Sequence, residues 1–160
     1  MNSNVMKTLT AIATLALLLA GCASMGGGSS SEELLASGQH SNIKDQQYTD
    51  IHNQVDLDAL WQKAFANMSA PTKPVVDFSK QMVIAAFAGE QETSGWVVRV
   101  SDVDDSGPTL NVTVTVTVPG RDCLFTKNKV SQPYGITAIP ASNKQVHFNI
   151  KQHNAAPCSS

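Results

Sequence analysis

The chain has 160 residues, 42% hydrophobic and 15% charged, with 11 Lys+Arg against 13 Asp+Glu for a formal charge of -2. That content supplies one apolar core and leaves no room for a second domain once a leader is removed. No basic block is long enough to track a phosphate backbone, so nucleic acid is not an expected partner.

Lys7 is the only early charge, and the uncharged, largely apolar run from Thr8 to Ala20 leads into small residues, the grammar of a secretory signal. The run is shorter than the ~20 apolar residues a membrane-spanning helix needs. It ends in Leu19-Ala20-Gly21-Cys22, which resembles the bacterial lipobox. The resemblance implies a lipoprotein signal peptide over residues 1-21 and a diacylglyceryl group on the Cys22 thiol. Each buried acyl methylene then adds ~0.8 kcal/mol of affinity for the lipid bilayer. Ala23 stands where an aspartate would resemble an inner-membrane retention signal. The expected location is therefore the cell envelope, in the outer membrane, with the domain facing the periplasm or the cell surface.

Gly and Ser dominate Ala23 to Ser31, a composition that cannot bury a core, and residues 22-37 are expected to form a lipidated, Gly/Ser-rich tether. Residues 38-160 then make a single β-rich domain. Between Glu32 and Asp50 the chain is polar with scattered Leu34, Leu35, Ile43 and Tyr48, which suits a short strand or an ordered arm. From Asp56 to Met68, Leu57, Leu60, Trp61, Ala64, Phe65 and Met68 recur at helical spacing, with Asp56 available as the cap and Pro71 and Pro74 beyond the end.

The β region opens with Met82 to Ala88, an uninterrupted apolar run of strand length that predicts a strand covered on both faces. Trp96, Val98 and Val100 alternate with Val97, Arg99 and Ser101, and Asp104-Asp105-Ser106-Gly107-Pro108 supplies turn chemistry. So short a link forces the next strand to be antiparallel. That strand, Leu110 to Val118, sets valines at 112, 114, 116 and 118 against Asn or Thr at the positions between. Ile136 to Ile139 and Val146-Phe148-Ile150 predict two further short strands across the link Pro140 to Lys144. The expected class is α+β: a small antiparallel sheet or sandwich-like domain with one N-terminal amphipathic helix. Cys123 and Cys158 form an even pair in an oxidising compartment, so a disulfide is expected, closing about 36 residues and contributing roughly 4 kcal/mol in the loop-entropy account.

No catalytic set, metal site or cofactor is expected. His40, His52, His147 and His153 contain no pair at the i, i+4 spacing that sets two imidazoles on one metal. Asp102, Asp104 and Asp105 flank Ser-Gly-Pro, where aspartate serves by bonding its own backbone.

After the apolar run comes Gly89-Glu-Gln-Glu-Thr93-Ser94-Gly95-Trp96, and Gln132-Pro133-Tyr134 precedes a strand that closes at Ile139-Pro140. Over about residues 78 to 150 this order resembles the C-terminal domain of the PrcB protease-complex subunit, with Ser94 in place of a second glycine and Trp96 in place of the commoner tyrosine. The resemblance implies a noncatalytic accessory protein that binds and stabilises a surface protease or another envelope protein. Thr93, Ser94, Gly95, Trp96, Pro133 and Tyr134 are the candidate contact residues. The Thr-x-Gly-aromatic turn also resembles one binding loop of chagasin-type protease inhibitors. A structural or small-ligand-binding lipoprotein is the third reading, and it requires an apolar pocket beyond the core.

The anchor is tested directly: palmitate labelling of growing cells should mark the wild-type chain and leave a Cys22→Ser form unlabelled.

Overall fold

A strand with no polar side chain on either face is stable only when water is excluded from both. The computed structural model describes residues 32–121, 123 and 129–158, and it places this strand between two separate cores. The elements are β1 (Glu33–Gly38), β2 (Gln47–Ile51), α1 (Gln54–Phe65), β3 (Gln81–Phe87), β4 (Val97–Asp104), β5 (Leu110–Val118), β6 (Tyr134–Pro140) and β7 (Val146–Asn154). The expected signal peptide, Cys22 and the first part of the tether lie outside the described residues.

Four strands form one sheet in the order β1-β6-β3-β2, and three form a second in the order β4-β5-β7. Alternation along β3 divides its side chains between the layers. Val83, Ala85 and Phe87 meet Leu57, Leu60, Trp61, Ala64 and Phe65 of α1. Met82, Ile84 and Ala86 meet Val98 of β4 and Leu110, Val112, Val114 and Val116 of β5. The helix covers one face of the first sheet and the second sheet covers the other.

This arrangement overturns the expected α+β class. Among the described residues the fold is mostly β, 44% strand against 10% helix, built as two sheets. One amphipathic segment supplies the only helix among the described residues, whereas the polar stretch before it supplies two strands. Their stability comes from pairing: β1 lies antiparallel to β6, and β2 antiparallel to β3. Residues 33–37, expected to belong to the tether, instead lie in β1, because Leu35 and Ala36 pack into the helix-side core.

The helix starts at Gln54, three residues earlier than a cap at Asp56 would set, and is capped by Asn53, whose side chain accepts from the Asp56 amide at 2.9 Å. Such a cap contributes about 1 kcal/mol. It ends at Phe65, well before Pro71, where Asn67 takes a φ of 59°, a left-handed conformation asparagine tolerates.

In the second sheet β4 and β5 are antiparallel, as the short turn between them requires. A bulge between Val100 and Asp102 lets Val103 join the inner face. β7, expected in an antiparallel sheet, instead runs parallel to β5 along its whole length. The intervening β6 lies in the other sheet, so the chain crosses between layers and returns in its original direction. Cys123 and Cys158 are bonded, 35 residues apart, and the Cys158 amide donates to the Arg121 carbonyl at 3.2 Å, which fixes the tail behind β7 to the end of β5.

The sheets approach most closely where β4 crosses β6. Gly135 pairs with Ala86, and a Cβ at position 135 would lie 2.3 Å from the Val98 carbonyl oxygen. That neighbour is backbone and cannot swing aside. Gly135→Ala should destabilise the domain by about 2 to 3 kcal/mol through overpacking, read as a lowered urea midpoint. Gly107→Ala, where nothing lies within 4 Å, should leave the midpoint nearly unchanged.

Candidate functional site

The loop between β3 and β4 is held by a set of uncharged polar contacts. Gly95 has a φ of 92°, a region that L side chains avoid and glycine enters freely. Gln39, immediately after β1, uses both ends of its amide on this turn. Its Oε1 accepts from the Gly95 amide at 2.8 Å and its Nε2 donates to the Trp96 carbonyl. The side chain thus takes the place of a paired strand's backbone. The Gln39 carbonyl also accepts from the Gln132 amide at 2.8 Å, joining the turn to the approach to β6.

A second clamp comes from Ser131. Its backbone exchanges two hydrogen bonds with Gln91, at 2.8 and 2.9 Å, and its fully buried hydroxyl donates to the Thr93 carbonyl at 2.6 Å. Trp96 donates from Nε1 to Thr93 Oγ1 at 3.1 Å, with its ring partly buried against the core between the sheets. Thr93, Ser94, Gly95 and Trp96 are all half-buried, so the turn presents part of each residue to solvent in a fixed geometry.

Pro133 and Tyr134, expected beside this turn as contact residues, belong to the interior. Pro133 is fully buried and its carbonyl accepts from the Ala88 amide at 3.0 Å. Tyr134 is 5% exposed, with ring centroids 5.0 Å from Phe65 and 6.1 Å from Phe87. Burial pushes its phenol above the usual tyrosine range. Both side chains therefore pack in the interior rather than on an open surface, and Tyr134 also forms part of the wall of a small cleft beside Trp96.

Trp96 separates two clefts. One, of about 210 Å3, opens at the end of the two sheets and is lined by Gln46, Ala88, Gln91, Val116, Ile150 and Gln152 together with the indole. The other, about 140 Å3, runs between the end of β1 and the start of β4. The first has no charged lining residue. Its aliphatic and indole surfaces can hold an apolar side chain, while its glutamine amides can bond a peptide backbone. Gln39 and Ser131 were not singled out from the sequence, where an isolated polar residue in a loop carries no periodicity. The denser clue was that the segment Gln39 to Gln47 is almost uninterrupted in polar residues yet contains the buried Ser41 and Ile43.

A separate groove of about 370 Å3 lies against α1, lined by Trp61, Phe65, Ala66 and Ala70. An ion pair of 2.7 Å between Lys73 and Asp58 closes its rim, and Trp61 Nε1 donates to the Pro71 carbonyl at 3.3 Å. Among the histidines, His52 bonds Asp50 at 2.8 Å, and His147 and His153 are exposed on β7. Among the described residues no group of three His, Cys, Asp or Glu side chains converges. In the acidic turn Asp104 accepts from the Ser106 amide and hydroxyl at 3.0 and 2.6 Å, which holds its carboxyl below the usual range. Asp105 pairs with Lys144 at 2.7 Å.

Residues 82–140 match the family model described as PrcB C-terminal. That stretch holds β3 to β6 and the Thr93 to Trp96 turn, while β1, β2, α1 and β7 flank it. No curated protein and no solved structure gives a match to the chain.

Gln39→Ala removes both side-chain bonds to the turn and should destabilise the domain by about 1 to 3 kcal/mol. In a Trp61→Phe background, where Trp96 alone reports, its fluorescence should shift to the red as the indole loosens into water.

Proposed function

We propose that this chain is a noncatalytic, lipid-anchored envelope protein that binds and stabilises a partner protein, with a protease as the leading class. The observation that carries this reading is a half-exposed tryptophan beside an uncharged cleft, held in place by Thr93, Gln39 and Ser131. Buried or half-buried aromatic anchors dominate binding energies in protein interfaces, and one ordered before contact loses little entropy on binding. The match of residues 82–140 to the PrcB C-terminal model supports the protease as partner class. The lipid at Cys22 would keep the domain beside an envelope partner at high local concentration.

A small-ligand reading has one observation in its favour, the apolar groove on α1, whose volume falls within the ordinary range for such sites. A failure to capture any protein would leave it the better of the two.

Crosslinking in intact cells separates these readings. The wild-type chain should capture a specific envelope protein, and Trp96→Ala should reduce that capture by about tenfold or more. Val75→Ala, at a side chain 96% exposed and remote from the turn in sequence, should leave the yield unchanged. Capture that ignores Trp96→Ala would remove the turn from the binding surface.

A further inference from the structure

Unpaired strand edges invite another strand, and most proteins blunt them by shortness, bulges or charge. The two sheets present four edges. β1 has six residues and an irregularity between Leu34 and Ala36; β2 has five residues; β4 carries the bulge before Asp102. β7 differs from all three. It has nine residues in unbroken register with β5, and no strand among the described residues pairs with its other side.

Two hydrogen bonds fix which backbone groups of β7 face outward. The Leu110 amide donates to the Gln145 carbonyl at 3.0 Å, and the Ala155 amide donates to the Val118 carbonyl at 2.9 Å. Alternation between these ends directs the odd-numbered residues of β7 toward β5. Val146, Phe148, Ile150, Gln152 and Asn154 therefore aim their amides and carbonyls away from the sheet. Ile150, at the middle of the strand, is 41% exposed, and with Gln152 it also lines the Trp96 cleft. On the opposite face stand His147, Asn149, Lys151 and His153, and the strand contains no carboxylate.

We propose that β7 is a strand-addition site for an extended partner segment that carries carboxylates on one face and apolar side chains on the other. The inference rests on the reading of this chain as a protein-binding module and names how the partner docks. Backbone bonds to the five outward residues supply affinity, and the side chains select the partner. The apolar face of the added strand covers Ile150 and continues into the Trp96 cleft, while its carboxylates meet Lys151 and the two histidines. A second copy is a poorer occupant. Antiparallel self-pairing about Ile150 sets His147 against His153 and brings no opposite charge to Lys151.

The test uses the purified full-length mature chain and a nine-residue probe peptide alternating valine and glutamate, with a valine–lysine peptide as control. The acidic peptide should slow hydrogen exchange at the five outward amides, and the lysine peptide should not. Gln152→Pro deletes an outward amide without touching the ladder to β5, a position where an edge strand tolerates proline. It should weaken peptide binding at least tenfold with little change in melting temperature, whereas Gln152→Ala, which keeps the outward amide and removes only a side chain of the cleft, should weaken it far less. Absence of slowed exchange in the wild-type chain, or equal response to both peptides, overturns the proposal. So does protection that appears without peptide as protein concentration rises, which would make the occupant a second copy. Cellular capture that depends on Trp96 yet persists in Gln152→Pro would refute strand addition while leaving the partner-binding reading intact.

Discussion

The water-excluded position of β3 on both of its faces is the constraint from which the architecture follows. Six consecutive side chains, Met82 to Phe87, are buried, and alternation forces them into two cores rather than one. A helix can cover only one side of such a strand. The other side requires a second layer, which the valine row of β5 supplies. Removing either cover would expose apolar surface at roughly 25 cal/mol for each Å2, so helix, first sheet and second sheet are stable only together.

The same constraint positions the Trp96 turn. Because β3 belongs to the first sheet and β4 to the second, the chain between them must pass from one layer to the other. Residues 88–96 make that passage at the open end of the two sheets, where no regular ladder can satisfy their backbone groups. Gln39, Gln91 and Ser131 take over that task with side-chain and local backbone bonds. A polar network that is fully bonded is rigid, so a crossing loop that would otherwise be loose instead holds an indole in a defined place.

Much of this was legible in the residues, and the limits have physical causes. The continuous run at 82–88 and the alternation at 110–118 are periodic signals strong enough to identify strands and their buried faces. Asp-Ser-Gly-Pro determined the antiparallel β4–β5 pair, and two cysteines determined the disulfide. What escaped is non-local. β1 and β2 have weak patterns because they are short edges whose stability lies in their partners. The parallel β5–β7 pairing depends on β6 joining the opposite sheet, which the short link Pro140 to Lys144 does not reveal. Pro133-Tyr134 looked like a contact motif, yet Tyr134 fills the space between Phe65 and Phe87, a packing relation between residues far apart in the chain. Asn53 rather than Asp56 caps the helix because the first turn, Gln54 to Asp56, precedes the apolar stripe that starts at Leu57.

The parallel partnership of β5 with β7 also dictates an order of events during biosynthesis. β5 is central to its sheet, yet one of its two neighbours is translated after every other strand. Until residues 146–154 have left the ribosome, β5 keeps one unsatisfied flank and the inner layer stays incomplete. A nascent chain of this topology can complete its inner layer only when its last strand is made.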